Sequence, residues 1–199
     1  MFSRLLNTNT AFFICDVQGC FLKSIFAVDE VIHSTSFLLK TARALEVPCV
    51  ITEQYPDKLK HTVDSLLPLI NETETQKAFP VFPKVDFSML TQDVRNYLQS
   101  TLPNVKNIVL CGMETHVCVL QTCYDLMNSG YKVHLCVDAV SSRSPVDRKV
   151  ALNQLQKDGA ILTTTENVAF QLIGSKNHPH FRAISALVKE KELPKQLDY

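Results

Sequence analysis

The sequence predicts an α/β fold with three α/β/α layers around a mostly parallel, doubly wound sheet. Short apolar runs, each suited to one buried strand, recur along the chain. Segments with the apolar spacing of helices separate these runs, and such alternation is typical of parallel strands joined by crossover helices. No internal repeat or linker divides the 199 residues, so we expect a single domain over residues 1–199.

Five apolar runs and one weaker segment are the predicted strands. The runs begin with AFFIC and CVIT and continue with NIVLC, KVHLCV and AILTT. The weaker segment is placed just before PVFPK, which is expected to be a loop. In chain order, the six strands are expected at residues 11–15, 49–52, 76–79, 107–111, 132–137 and 160–164.

Helical spacing marks most of the segments between the strands. Asp29 is the expected N-cap of the first helix, which must end before Pro48. Gly130 and Gly159 are expected to end two later helices. Residues 53–74 have no clear period and are expected to be largely loop. Helices are expected at residues 29–46, 91–98, 117–128 and 146–157, and two further helical stretches complete the chain.

Composition restricts the class of function. Lys plus Arg total 20, as do Asp plus Glu, so no net positive field attracts nucleic acid or an anionic membrane. We expect no membrane insertion, because no apolar stretch approaches the length of a membrane span.

The seven cysteines are odd in number and contain no Cys-x-x-Cys pair, which indicates a reducing compartment rather than a disulfide framework. We therefore predict a cytoplasmic protein. The start of the chain, MFSRLLNTNTAFF, contains one Arg and no acid, so association with mitochondria is the alternative.

Two ionisable residues follow predicted strands at the edge of the sheet where ligands bind in such folds. Asp16 comes directly after the first strand, and Lys84 lies within FPKVDFSML. An isolated Asp at this place either caps a turn or acts as a general base whose pKa depends on burial and a nearby cation. An isolated Lys is most often a surface residue, and here it is also a candidate for that cation.

Cys118 differs from the other cysteines in its position. It follows the turn at Gly112 and lies in the first turn of a helix that Thr115 can cap. Free N–H groups and the helix dipole favour a thiolate there and can hold an oxyanion. Strand–turn–helix units are common, so spacing alone leaves both a catalytic and a packing role open. The cysteines expected to be packing residues are Cys15, Cys49, Cys111, Cys123 and Cys136.

The segments ICDVQ, FPKVDFS and CGMETHVCV, followed by GYKVHLCVDAVSSRS, resemble the isochorismatase-like cysteine hydrolases. TEQYP and VDAVSSRS are most similar to the isochorismatase domain-containing branch, and the likeness extends from about residue 11 to about residue 188. The resemblance implies a Rossmann-like fold and an Asp–Lys–Cys triad formed by Asp16, Lys84 and Cys118. It also implies a cis peptide at Met113–Glu114 and an oxyanion hole formed by the backbone N–H groups of Glu114 and Cys118.

The resemblance further implies a hydrolase that cleaves a C–N bond of a small amide or related acyl compound through a Cys118 thioester. Members of the family are usually oligomers, so we expect a homo-oligomer with a small-molecule substrate and no nucleic-acid partner. TEQYPDKLKHTVD replaces the Asp-x-His…His metal site of the nicotinamidases and leaves His61 alone, so we expect no metal and no cofactor. Isochorismatases that act on the vinyl ether lack the cysteine, so isochorismate is not the expected substrate.

Residues near these motifs are expected to line the substrate pocket. Gln18 either orients Asp16 or caps its loop, and His116 either tunes Cys118 or supports the site. The rival to catalysis is a non-catalytic or moonlighting interaction protein on the same fold. A nucleic-acid enzyme is disfavoured by the neutral charge balance. The expected substrate-binding residues are Gln18, Phe21, Glu53, Gln54, Tyr55, Phe87 and His116.

Overall fold

The computed structural model describes residues 4–192 and 195–197. Within these residues, six strands form one sheet in the order β3-β2-β1-β4-β5-β6, and every neighbouring pair is parallel. The predicted fold class is therefore confirmed. The strands are β1 (Thr10–Cys15), β2 (Cys49–Gln54), β3 (Val81–Lys84), β4 (Asn107–Met113), β5 (Lys132–Ser141) and β6 (Ile161–Thr163).

Helices cover both faces of this sheet. Shorter helical turns of the 3-10 type lie at Asn7–Asn9, Gly19–Lys23 and Asp64–Leu66, and a π-helical turn lies at Thr115–Val119. The α-helices are α1 (Val28–Leu45), α2 (Pro56–Leu59), α3 (Leu67–Ile70), α4 (Gln92–Thr101), α5 (Leu120–Asn128), α6 (Pro145–Lys157), α7 (Thr165–Ile173) and α8 (Phe181–Glu190). No helix of the described ranges is long and apolar enough to cross a membrane.

β1 lies at the centre of the sheet, and all its residues are fully buried. Phe12 and Ile14 belong to the apolar cluster on the face covered by α1, α7 and α8. Phe13 and Cys15 belong to the cluster on the opposite face, with α4, α5 and α6. Because strand side chains alternate between faces, Cys15 points to the same side as the helix that follows the fourth strand.

The third strand was placed too early by the sequence pattern. Residues 76–79 form no strand, and the strand is Val81–Lys84, within the segment that was expected to be loop. It contains Pro83, which lacks the N–H of a strand interior. A proline is tolerated here because β3 is an edge strand whose neighbour is β2.

Two further sequence predictions were wrong. Residues 53–74 contain the end of β2 and the short helices α2 and α3, where Pro56 is the first residue of α2. A proline is favourable at that position because the first helical N–H has no intrahelical partner. The N-cap of α1 is Ala27, in a left-handed conformation with φ 51°, and not Asp29. Asp29 lies in the first turn, where its charge interacts favourably with the helix dipole.

The segment considered as a mitochondrial presequence, residues 1–13, includes the 3-10 turn at Asn7–Asn9. Residues 1–3 lie outside the described residues, and residues 10–13 belong to β1.

His134 lies in β5, is 4% exposed, and neither ring nitrogen has a hydrogen-bond partner among the described residues. Burial, with a smaller effect of Lys132, lowers the pKa of His134 to about 4. An unfolded His titrates near 6.5, so the unfolded chain binds more protons between about pH 4 and 6.5, and stability falls as the pH falls through that range. We predict that His134→Leu makes urea denaturation less pH-dependent there, by up to about 1.4 kcal/mol per pH unit.

The same variant is expected to raise the free energy of unfolding at pH 7.5 by about 1–3 kcal/mol, because buried polar atoms without partners are removed. His180→Leu, at an exposed position, is the matched control. Parallel stability–pH curves for wild type and His134→Leu would contradict the prediction.

Gly112 is the point at which β4 passes closest to β1. Its φ is 117°, and a Cβ there would lie 2.0 Å from the carbonyl oxygen of Cys15. We predict that Gly112→Ala lowers the free energy of unfolding by more than about 3 kcal/mol, since backbone strain and a clash with buried backbone add together. Urea denaturation measures this change.

Gly130→Ala is the control for the backbone strain alone. Gly130 also has a positive φ, 86°, but no atom lies within 4 Å of the place that a Cβ would take there. Its substitution is expected to cost about 1–2 kcal/mol. Equal losses for the two variants would show that the contact with Cys15 is unimportant.

Candidate active site

Asp16 is the first residue after β1 and is fully buried. Its φ of 51° turns the chain at the end of the strand, a conformation in which Asp is enriched. Oδ1 accepts a 2.7 Å hydrogen bond from the Thr52 hydroxyl, and Oδ2 accepts a 2.7 Å bond from Nζ of Lys84. The carboxylate at the centre of the sheet is therefore tied to both β2 and β3.

Lys84, the last residue of β3, has a fully buried side chain. Besides Asp16, its ammonium contacts Oε1 of Gln54 at 2.6 Å and two loop carbonyls, those of Asp86 at 3.1 Å and Phe87 at 2.9 Å. Burial alone would favour the neutral amine, but the neighbouring Cys15, Asp16 and Cys118 side chains and the hydrogen bond to Asp16 raise the pKa of Lys84 above its ordinary value. Lys84 therefore stays an ammonium.

Cys118 lies on the turn that joins β4 to α5 and is 7% exposed. The peptide bond between Met113 and Glu114 is cis, and the π-helical turn follows it directly. Thr115 was expected to cap this helix, but it is already inside the turn, and Glu114 takes the N-cap position. The Thr115 hydroxyl is buried and has no hydrogen-bond partner in the described part of the chain. Cys118 is nevertheless within the first helical turn.

The loop after β5 contacts the side of the turn that carries Cys118. The backbone N–H of Arg143 donates to Oε2 of Glu114 at 2.8 Å. Nδ1 of His116 lies 2.9 Å from the hydroxyl of Ser142, which is fully buried. These contacts give the VDAVSSRS segment a role that sequence reasoning did not assign: it supports the turn that carries Cys118.

Cys15 is a site residue that sequence reasoning missed, because it was assigned to strand packing. Its sulfur donates to Oδ2 of Asp16 at 3.4 Å. Burial, the neighbouring Cys118 side chain and the charge of Asp16 raise the pKa of the Cys15 thiol well above its usual range. Strand alternation and the position next to Asp16 were the available signals.

Three of the expected substrate-binding residues hold loops together. The Gln18 amide donates to the carbonyls of Gln54 at 3.0 Å and Lys60 at 2.5 Å, and its oxygen accepts from the Gln54 N–H at 2.7 Å. Oε1 of Gln54 accepts a hydrogen bond from Nζ of Lys84, and Nε2 of Gln54 donates to the carbonyl of Val85 at 2.8 Å. Of the two roles considered for Gln18, its side chain performs loop capping.

The Glu53 carboxylate accepts bonds from the N–H and hydroxyl of Thr62, at 2.7 and 2.8 Å, and pairs with Nδ1 of His61 at 2.9 Å. Burial alone would raise the pKa of Glu53, but these hydrogen bonds hold it below its ordinary value. Within the described residues, no group of three His, Cys, Asp or Glu side chains is arranged to hold a metal ion.

The remaining expected contacts lie around the ends of the strands. Phe21 is half-buried and packs against the α1 side of the core. Tyr55 and Phe87 are 46% and 50% exposed, and His116 is half-buried. The structure thus joins Asp16, Lys84, Thr52 and Cys15 by hydrogen bonds and packs Cys118 in the same apolar cluster as Cys15. Aromatic side chains remain accessible in the loops beside β2 and β3.

The isochorismatase domain model matches residues 10–167 of this chain. The secreted isochorismatase effector Isc1 of Phytophthora sojae is 41% identical, over 94% of this chain and 88% of that protein. Isochorismatase domain-containing protein 2 of Xenopus laevis is also 41% identical, over 94% of this chain and 87% of that protein.

Among solved structures, the MAR1 ribonuclease of Caenorhabditis elegans superposes with a TM-score of 0.89 at 41% identity, covering 98% of this chain and 96% of that one. YcaC of Escherichia coli, an octameric hydrolase of unknown specificity, has a TM-score of 0.77 and 17% identity, over 96% and 97% of the two chains, and so shares the fold. On the family match and the curated relatives, the chain belongs to the isochorismatase family of hydrolases.

Proposed function

We propose that this protein is a cysteine hydrolase that cleaves a C–N bond of a small amide or related acyl compound through a thioester on Cys118. The observation that carries the proposal is the buried Asp16–Lys84 pair, whose Nζ–Oδ2 distance is 2.7 Å, on the same sheet edge as a thiol in a first helical turn. A base, a cation and a nucleophile at one water-poor edge are the components of acyl transfer.

The reaction begins when Asp16 accepts the proton of Cys118 and the thiolate attacks the substrate carbonyl carbon. The backbone N–H groups of Glu114 and Cys118 stabilise the tetrahedral oxyanion. Asp16 gives its proton to the leaving nitrogen as the C–N bond breaks, and then activates the water that hydrolyses the thioester. Lys84 donates a hydrogen bond to the Asp16 carboxylate and balances the charge of the thiolate.

Burial supports a small substrate. Asp16, Lys84 and Cys118 are 0%, 5% and 7% exposed, so only a small reacting group reaches the thiol in a single chain. Gln18, Phe21, Glu53, Gln54, Tyr55, Phe87 and His116 remain the proposed surroundings of the substrate, the glutamines and Glu53 by fixing the loops.

A homo-oligomer is also part of the proposal, in keeping with the octamer named for YcaC, and mass photometry measures it. We propose a cytoplasmic location, because the seven free cysteines indicate a reducing compartment, with mitochondrial association as the alternative. Imaging of a fluorescent fusion distinguishes the two.

RNA cleavage is a second candidate function, because one relative at 41% identity is named a ribonuclease. Cleavage of RNA by its own 2′-hydroxyl needs a general base and a general acid but no sulfur nucleophile. Asp16 and Lys84 are candidates for those roles. The formal net charge of zero opposes it, since binding to the phosphate backbone depends on positive charge.

We predict that Cys118→Ala lowers the rate of hydrolysis by at least about 10³-fold. The loss is expected for every compound that wild type hydrolyses in a panel of amides, carbamoyl compounds and esters. Intact mass spectrometry of wild type during turnover is expected to show an acyl adduct on Cys118. Cys49→Ala, which removes a buried strand thiol, is the control and is expected to keep full activity. Undiminished hydrolysis by Cys118→Ala would refute the thioester mechanism.

Alkylation separates this enzyme from a non-catalytic scaffold on the same fold. Iodoacetamide at pH 7 is expected to label Cys118 faster than Cys20, which is half-exposed and whose pKa is raised by burial. Labelling of Cys118 no faster than that of Cys20 would favour the scaffold.

The RNA candidate gives a separate prediction. Because 2′-hydroxyl attack needs no thiolate, ribonuclease activity would survive in Cys118→Ala and be lost in Asp16→Asn, whereas amide hydrolysis is lost in both. We expect no RNA cleavage above that of Asp16→Asn in gel assays at about 50–200 mM salt, a range in which RNA binding falls steeply if it is electrostatic. Cleavage by wild type and Cys118→Ala alone would establish the ribonuclease.

A further inference from the structure

Asp16 receives more hydrogen bonds than a free general base would. Oδ1 accepts the Thr52 hydroxyl at 2.7 Å, and Oδ2 accepts both Nζ of Lys84 at 2.7 Å and the thiol of Cys15 at 3.4 Å. All four residues are at most 5% exposed, so water does not compete for these positions. Three of the roughly four acceptor positions of the carboxylate are therefore occupied.

This arrangement conflicts with a direct proton transfer from Cys118. A carboxylate with several donors is stabilised as an anion, and a new proton needs a free lone pair on one of its oxygens. Both acceptor positions of Oδ2, the oxygen that Cys15 contacts, are occupied, so one of its two donors must move before Oδ2 takes a proton. The Thr52 and Lys84 bonds are short and, for Lys84, charge-assisted, whereas a thiol is a weak donor. Cys15 is the donor that leaves Asp16 most easily.

Cys15 also has a second partner within reach. Cys15 lies opposite Gly112 in the parallel pairing of β1 and β4. The strand that contains Gly112 leads into the turn that carries Cys118. Cys15 and Cys118 pack in the same apolar cluster, and Cys118 is among the neighbours that raise the pKa of the Cys15 thiol. Burial and these neighbours hold the pKa of Cys15 well above its usual range, so Cys15 stays protonated and acts as a donor only.

We propose that Cys15 is a positioning residue whose S–H turns from Oδ2 of Asp16 to the sulfur of Cys118 when Cys118 loses its proton. One proton moves, from Sγ of Cys118 to Oδ2 of Asp16, and the S–H bond of Cys15 stays intact. This rotation of the Cys15 S–H bond frees the lone pair of Oδ2 that takes the proton. It also gives the new Cys118 thiolate a hydrogen-bond donor. This role rests on the proposed function, because it requires Cys118 to act as a thiolate.

The experiment measures the pH dependence of iodoacetamide alkylation of Cys118 in the intact protein, followed by peptide mass mapping. Cys15→Ala and Cys15→Val remove the donor, and each is expected to raise the midpoint by about one pH unit and to slow alkylation about tenfold below it. Cys15→Ser keeps an O–H donor at the same place and is expected to return the midpoint to within about 0.3 units of wild type.

Cys49→Ala is the matched control, since it truncates a buried cysteine of the neighbouring strand that does not contact the triad. Its alkylation profile is expected to coincide with that of wild type. Circular dichroism and thermal melting show which variants are folded, and Cys15→Val replaces Cys15→Ala where the cavity left by alanine prevents folding.

Two outcomes overturn the role of Cys15. Profiles of the apolar variants that superpose on wild type would show that Cys15 only packs, and a shift in Cys15→Ser equal to that in Cys15→Ala would show that no donor is involved. Either result leaves the hydrolase proposal standing as long as wild-type Cys118 reacts faster than Cys20. Slow labelling of Cys118 in wild type would instead remove the hydrolase proposal and, with it, this role.

Discussion

The buried ion pair between Lys84 and Asp16 is the interaction on which the rest of this site depends. Neither side chain is exposed, and leaving one of two buried charges without its partner costs about 3–5 kcal/mol. Both charges must therefore be satisfied together. The Thr52 hydroxyl, the Gln54 amide and the loop carbonyls after β3 complete this set of partners, so the ends of β1, β2 and β3 are fixed relative to each other.

The fourth strand is brought to this pair by close backbone contact rather than by charge. Gly112 packs against the carbonyl of Cys15, where no side chain fits, and the turn after β4 begins next to Asp16. Contacts from Ser142 and Arg143 then hold the far side of the turn. The turn that carries Cys118 is thus positioned by Gly112 on one side and by the contacts of Ser142 and Arg143 on the other.

Strand periodicity predicted most of the sheet and placed Asp16 and Cys118 after strongly apolar runs, but only the family resemblance assigned these two residues and Lys84 to a triad. Periodicity misplaced β3, because Pro83 is atypical of a strand interior. The N-cap of α1 was also assigned wrongly, because Ala27 adopts a conformation unusual for alanine. Cys15 was missed for another reason. A buried cysteine in a strand has the same sequence pattern whether its sulfur contacts a methyl group or a carboxylate. Only the packing of β1 against the turn that carries Cys118 decides between them.

The charge balance of the site bears on the choice between an amide and RNA. Lys84 and Asp16 neutralise each other, and in the proposed reaction a proton transfer from Cys118 to Asp16 would leave one cation beside one thiolate, so the net charge would stay at zero. A neutral acyl group enters such a site without an uncompensated buried charge. A phosphodiester brings a negative charge into a buried region whose ammonium already binds a carboxylate, and that desolvation has no matching cation among the triad residues. This charge balance therefore supports the proposal of a neutral amide substrate over RNA.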